Sequence, residues 1–94
     1  MEYRIYQLND EWKREYGFCS YDDVKEDYGE PQREHYNLVY SFEIGEEITP
    51  DQLYEIFNLH RPEDFRGHSL SVSDVVYDGK YWYCDSFGWV ELNW

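Results

Sequence analysis

The stretch of the chain that is richest in chemically reactive side chains is HSLSVSDVV, residues 68–76. It contains one histidine, three serines and one aspartate, namely His68, Ser69, Ser71, Ser73 and Asp74. Serine, histidine and aspartate are the components of a hydrolytic triad. However, His68 and Ser69 are adjacent and would point to opposite faces of an extended chain, and the sequence has no GxSxG elbow. These residues therefore do not predict a serine hydrolase.

A pair of carboxylates is the second chemical possibility. An Asp-Gly dipeptide at residues 78–79 is typical of a two-residue hairpin turn, and it predicts a strand within residues 70–77 paired with a strand over residues 80–85. In that register Asp74 shares a face with Asp85, which would place their carboxylates roughly 5 to 8 Å apart. This spacing would suit a general acid and a nucleophile.

A structural interpretation of the same residues stays open beside it. In this interpretation the buried face of the hairpin consists of Val75, Tyr77, Trp82 and Cys84, and both acids point toward solvent or a loop. A buried carboxylate without a partner would cost several kcal/mol. We therefore predict that Asp74 is structural and accepts hydrogen bonds from nearby backbone N–H groups or from Ser71 or Ser73.

Cysteine and histidine form no metal-binding signature. Cys19 and Cys84 lie far apart without a CxxC or His-paired spacing, and His35 and His60 lie in no ligand spacing. We expect neither a metal nor a cofactor. We interpret both cysteines as buried small hydrophobic residues, because no export signal points to an oxidising compartment.

Length and charge restrict the possible partners. The 94 residues suffice for one domain, and 21 acids against eight bases give a net charge of -13. Direct binding to DNA, RNA or an anionic membrane is electrostatically opposed, whereas a basic protein partner is favoured. No leader or membrane segment is evident, so we expect a cytoplasmic protein.

Hydrophobic periodicity predicts an α+β fold, with an antiparallel sheet of about four to five strands and two short helices packed on one face. Residues 9–19 are ambiguous. The predicted elements are strands over 3–8, 36–44, 70–77, 80–85 and 89–92, and helices that begin after Ser20 and Thr49. One core is expected, formed by Leu38, Phe42, Leu53, Ile56, Phe57, Val75, Tyr77, Trp82 and Trp89.

The first predicted helix carries an acidic stripe. Asp22, Glu26 and Glu30 are spaced four apart, with Asp23 and Asp27 beside them. Like charges at this spacing cost a helix about 0.2–0.5 kcal/mol per pair, and packing does not require them. We predict that these acids form a binding surface; the alternative is a solvated face without a function.

The segment RPEDFRGHSLSVSDVVYDGKYWYCDSFGWVEL, residues 61–92, resembles the YodL-like domain family. The N-terminal YRIYQL and the YGF at residues 16–18 also resemble it, so the similarity spans nearly the whole chain. Trp89 stands where an aromatic residue of Phe type is more usual, which is a conservative difference. The resemblance implies a domain carried by plasmids, phages and conjugative elements of gut Firmicutes, and it implies no catalytic activity.

These observations together predict a small acidic non-enzymatic protein-binding domain of a bacterial mobile element or phage. One form of this function is counter-defence, of anti-restriction or anti-CRISPR type, in which the domain occupies the basic nucleic-acid-binding surface of a nuclease. Two alternatives remain: an accessory module that recognises a protein of its own element through an aromatic patch, and a small hydrolase that uses Asp74 and Asp85.

Overall fold

The computed structural model describes residues 1–94 and contains five strands and three α-helices. In chain order these are β1 (Glu2–Leu8), α1 (Asp10–Tyr16), α2 (Tyr21–Tyr28), β2 (Tyr36–Glu43), α3 (Pro50–Leu59), β3 (Val75–Tyr77), β4 (Tyr81–Cys84) and β5 (Trp89–Leu92), with a short 3₁₀ turn at Arg33–His35 before β2. The strands form one antiparallel sheet in the order β2-β1-β3-β4-β5. The α+β class and the antiparallel sheet are confirmed.

Side-chain caps set the starts of all three helices. Ser20 caps α2, and Thr49 and Gln52 form a reciprocal capping box at α3. Both starts agree with the sequence prediction. The side chain of Asn9 accepts a hydrogen bond from Trp12 N at 3.0 Å. This cap begins α1 in the segment that the sequence left ambiguous.

The helices are divided between the two faces of the sheet rather than packed on one face as expected. Tyr16 of α1 and Val24 of α2 pack with Tyr6 and Val75 of the sheet. Leu53 and Phe57 of α3 pack on the opposite face, together with Tyr3, Ile5, Leu70 and Val76. Consecutive residues of the central strands are therefore buried on both sides. Consecutive apolar residues are typical of a sheet covered on both faces.

The β3–β4 hairpin has a wider turn than predicted. Tyr77 pairs with Tyr81 and Val75 pairs with Tyr83, so the predicted two-residue register is wrong by one position. Asp78 Oδ1 accepts hydrogen bonds from Lys80 N at 3.2 Å and from Trp82 Nε1 at 2.9 Å. This side chain therefore holds a three-residue loop, and Trp82 lies on the opposite face from Val75.

The predicted single core is likewise wrong. Val75 and Tyr77 pack on the α1–α2 face, whereas most of the other predicted residues pack on the α3 face. Leu38 is 48% exposed and belongs to neither core. An irregularity in the β1–β2 pairing lies between Ile5 and Tyr6, and Leu38 is on an edge strand, where its outer side is uncovered.

Candidate functional site

The HSLSVSDVV segment is an irregular loop that leads into a short strand. β3 starts only at Val75, and Asp74 N donates to Ser71 O at 3.1 Å to close a turn. Ser73 has a φ of 88°, a left-handed conformation that non-glycine residues rarely adopt. The predicted strand over residues 70–74 is therefore absent, and the serines do not alternate along one face.

Asp74 lies at the centre of this loop and is 1% exposed. Its Oδ2 accepts hydrogen bonds from Ser71 N at 3.0 Å and from Gln7 Nε2 at 3.1 Å. Its backbone carbonyl accepts a hydrogen bond from Cys84 N at 2.8 Å. The structure therefore confirms the predicted backbone donor to Asp74, while the hydroxyl of Ser71 is buried without a hydrogen-bond partner.

Gln7 is the residue of this network that sequence reasoning missed. Its Nε2 donates to the carbonyl of His68 at 2.8 Å, and its Oε1 accepts from His68 N at 3.2 Å. The side-chain amide thus pairs with the loop as a neighbouring strand would. The available signal was one uncharged amide side chain inside the predicted first strand, YRIYQL.

His68 has a local partner in addition to its contact with Gln7. Its Nδ1 lies 2.8 Å from the carbonyl oxygen of Ser69, which fits a proton on Nδ1 and a hydrogen bond donated to that oxygen. The same nitrogen is 3.9 Å from Asp74 Oδ2. His68 therefore borders the aspartate and is not positioned on a serine hydroxyl.

Burial has the largest influence on the pKa of the Asp74 carboxyl group. Removal from water disfavours the charged carboxylate and raises its pKa to about 7, although the hydrogen bonds from Ser71 N and Gln7 oppose this rise. The side chain consequently changes protonation near neutral pH, where ordinary aspartates are ionised.

Ser73 connects the loop to three other parts of the fold. Its N–H donates to Cys84 O at 2.9 Å, and its carbonyl accepts from the hydroxyl of Tyr36 at 2.7 Å. Its Oγ accepts from Phe18 N at 3.1 Å. The side chain of Ser73 therefore bonds the connection between α1 and α2. The predicted hydrogen bond from the Ser73 hydroxyl to Asp74 is not formed.

Asp85 belongs to a different network. Its Oδ1 accepts from Tyr21 N at 3.0 Å and from Ser86 N at 2.8 Å, which fixes the start of α2 and the β4–β5 turn. Asp74 pairs by its backbone with Cys84, the residue before Asp85, so the two aspartates extend to opposite sides of the strand. The carboxylate pair that a hydrolase would need is not formed.

The acids of α2 are exposed as expected. Asp22, Asp23, Glu26 and Asp27 are exposed, and their carboxylates take part in no hydrogen bond or ion pair. Glu30 differs, because it accepts a hydrogen bond from Tyr21 and lies 3.4 Å from Lys25 Nζ. The acidic stripe therefore has four unpaired carboxylates, and its fifth predicted member, Glu30, lies beyond the end of α2 and pairs with Lys25.

A second acidic region, missed by the sequence analysis, lies at α3. Residues 43–60 contain five acids and no Lys or Arg, and none of the acids forms an ion pair. They are Glu43, Glu46, Glu47, Asp51 and Glu55. The signal was the absence of bases over 18 residues. The protein is acidic on both helical layers.

A small cleft of about 200 Å³ separates the start of α3 from the β4–β5 turn. Its main lining residues are Asp51, Tyr54, Val72, Cys84, Asp85 and Trp89. Phe87, at the tip of the turn, is 96% exposed. Gly88 shapes that tip, because its φ of 80° suits glycine.

The cysteines are free, with Cys84 buried and Cys19 only partly so. Burial raises the pKa of the Cys84 thiol to about 12, so it is a poor nucleophile at neutral pH. No group of three or more His, Cys, Asp or Glu side chains is placed to hold a metal ion. The three helices are all too short or too polar to cross a bilayer.

Comparison with known proteins identifies a family. The family model of the YodL-like domain matches residues 2–94. No curated protein and no solved structure matches the chain.

Proposed function

The chain belongs to the YodL-like domain family, and we propose that it is a small non-enzymatic domain that binds a basic surface of a partner protein. The observation that carries this proposal is the uncompensated charge of the surface. Only three of the 21 acids, Glu2, Glu30 and Glu91, form an ion pair with Lys or Arg. Exposed carboxylates without local partners are available to bases of another protein.

The negative charge of the chain is comparable to the charge that a nucleic-acid-binding surface of a partner normally contacts. The longest dimension of the molecule is 38 Å, a length over which duplex DNA carries roughly 22 phosphates. The net charge of -13 is somewhat more than half of that value. A basic groove that holds one side of a duplex would thus meet a comparable charge.

Both helical layers must contribute to such binding. The eight residues of α2 span about 12 Å, which is too short to replace a duplex along a groove. The acids around α3 extend the negative surface to the other face of the sheet. We therefore propose α2 as the main contact and the α3 region as a source of long-range attraction.

In a biological setting we propose a counter-defence role for a phage or mobile element, in which the domain blocks a host nuclease. Support comes from the acidity of the surface and from the kinds of replicon that the family resemblance implies. An accessory module of the element's own machinery is the second candidate. The observation that favours it is the fully exposed ring of Phe87, since aromatic residues are frequent in protein interfaces.

Capture from a host lysate at low and high salt tests the proposal. We expect a basic nuclease to bind at about 0.05 M salt and to elute at about 0.5 M, because screening weakens charge-driven association. The captured nuclease should also lose activity on DNA. Binding that resists high salt would favour aromatic docking by the second candidate.

Charge-reversal variants locate the contact. Replacement of Asp23, Glu26 and Asp27 with Lys should abolish capture. The matched control replaces Glu46, Glu47 and Glu55 with Lys, which changes the net charge equally on the other face and should reduce capture less. Equal loss in both variants would show that only total charge matters and would remove α2 from the proposed contact.

A further inference from the structure

The cleft between α3 and the β4–β5 turn combines three features that suit one kind of side chain. It is lined by an aromatic wall, by the two aspartates Asp51 and Asp85, and by two small apolar residues. Tyr54 and Trp89 form the wall, with ring centroids 6.4 Å apart and planes at 79°. Val72 and Cys84 also line the cleft.

The aromatic wall is held in place from within the protein. Trp89 Nε1 donates to Asp51 Oδ1 at 2.8 Å, so the indole cannot rotate freely. Asp51 lies in the first turn of α3, whose start is fixed by the capping box of Thr49 and Gln52. The wall is therefore preorganised and requires little ordering when a ligand binds.

The carboxylates of the cleft retain unused acceptor capacity. Asp51 accepts one hydrogen bond, from Trp89, through Oδ1. Asp85 accepts two hydrogen bonds, both through Oδ1. The Oδ2 atoms of both residues have no hydrogen-bond partner, and neither Lys nor Arg lines the cleft. A cationic ligand would thus meet two negative groups without competition from a base of the chain.

We propose that this cleft binds one arginine side chain of the basic partner, and this proposal rests on the proposed function. A guanidinium group stacks on an aromatic ring and donates to carboxylates in the same plane, whereas the ammonium group of lysine lacks the planar fork. The exposed ring of Phe87 extends the contact to apolar groups beside that arginine. The cleft supplies specificity where the acidic helices supply general attraction.

Titration of the protein with a short peptide, acetyl-Gly-Arg-Gly-amide, tests this site without the unknown partner. We expect the indole N–H signal of Trp89 and the amide signals of Ser86 and Gly88 to shift in NMR spectra. The indole signals of Trp12 and Trp94 serve as internal controls and should stay fixed. The matched peptide with citrulline, which is similar in shape and uncharged, should cause no shift.

Two neutralising variants of α3 complete the test. Asp51→Asn retains an acceptor for Trp89 and should weaken peptide binding about twofold to fivefold, in the range of a single exposed ion pair. Glu55→Gln removes the same charge from the same helix outside the cleft and should leave binding within experimental error. The unchanged spectrum of each free variant reports that it is folded.

The proposal is overturned by equal shifts with the arginine and citrulline peptides, by shifts at Trp12 and Trp94 as large as those at Trp89, or by equal weakening in both variants. These outcomes leave the capture of a basic nuclease unaffected. Conversely, specific shifts at Trp89 would stand even if no nuclease were captured. The failure of one proposal can therefore be distinguished from the failure of the other.

Discussion

The loop around Asp74 and the outer face of α2 use the same functional group in opposite ways. Asp74 is 1% exposed and is held by Ser71 N and Gln7. Asp22, Asp23, Glu26 and Asp27 are exposed and have no partner in the chain. The region with the more enzyme-like composition thus encloses its carboxylate within the fold, whereas the acids of α2 are exposed to solvent.

This difference shows that residue types alone do not identify a site. A buried carboxylate is costly, so the fold surrounds it with donors and its presence is explained internally. Unpaired acids four residues apart slightly destabilise a helix, and the helix dipole offsets this only for acids in the first turn. Substitutions in each region measure how far the two kinds of carboxylate differ in their effect on stability and binding.

The largest expected effect concerns the pH dependence of stability. The pKa of Asp74 is raised to about 7 in the folded protein from an ordinary value of 3.8. The folded state therefore holds an additional proton between these values, and the free energy of unfolding falls as the pH rises through this window. Above the folded pKa the loss is complete, at roughly 2–4 kcal/mol relative to acidic pH.

The substitution Asp74→Asn should remove the part of the pH dependence of stability that comes from Asp74. Urea denaturation of wild type and variant at pH 5 and pH 8 measures it, and the difference between the two proteins isolates Asp74 from the other acids. Parallel pH profiles would contradict the assignment and would indicate that Asp74 titrates like an exposed acid.

Removal of the Gln7 amide should have the next largest effect. Gln7→Met keeps much of the side-chain shape but leaves Asp74 and both backbone groups of His68 with fewer partners. We expect a loss of about 1–3 kcal/mol in the free energy of unfolding. Gln32→Met, at an exposed position, is the control and should change stability by less than about 0.5 kcal/mol. Equal small effects would mean that the loop does not depend on the amide.

Substitutions at Ser73 separate hydrogen bonding from backbone strain. Ser73→Ala loses the bond from Phe18 N and keeps the left-handed φ, so we expect a cost of about 0.5–1.5 kcal/mol. Ser73→Gly loses the same bond but relieves a strain of about 1 kcal/mol. The Ser73→Gly variant should therefore have a higher midpoint temperature of thermal unfolding than the Ser73→Ala variant. The reverse order would argue against backbone strain at this position.

The smallest stability effect is expected on α2. Replacement of Asp22, Asp23, Glu26 and Asp27 by the corresponding amides removes repulsion between like charges and also some favourable interaction with the helix dipole. The change in the free energy of unfolding should lie within about 0.5 kcal/mol of zero. A large destabilisation would show that these acids serve the fold, and the contrast with Asp74 would disappear.

Local signals in the sequence predicted much of this architecture. The caps at Ser20 and Thr49 and the apolar positions of α3 depend on neighbours within one turn, and they were identified correctly. The structural role of Asp74 followed from the cost of burying a carboxylate. The resemblance of residues 61–92 to the YodL-like domain family also led to the family that the whole-chain match establishes.

The missed features depend on contacts between distant residues or on side chains in turns. The partnership of Gln7 with His68 spans 61 positions and has no local pattern. The hairpin register differs from the predicted one because the side chain of Asp78 accepts a hydrogen bond from the indole of Trp82. The Asp-Gly dipeptide alone does not reveal this bond. The left-handed φ of Ser73 and the division of helices between two faces arise from packing of the complete fold.

We propose that the acids of α2, and not Asp74, bind a partner. The most direct measurement is the dissociation constant of the captured basic partner for wild type, for the α2 amide variant and for Asp74→Asn, at one pH and low salt. We expect the α2 variant to bind at least tenfold more weakly and Asp74→Asn to bind like wild type. Unchanged binding by the α2 variant, or a selective loss in folded Asp74→Asn, would contradict the claim.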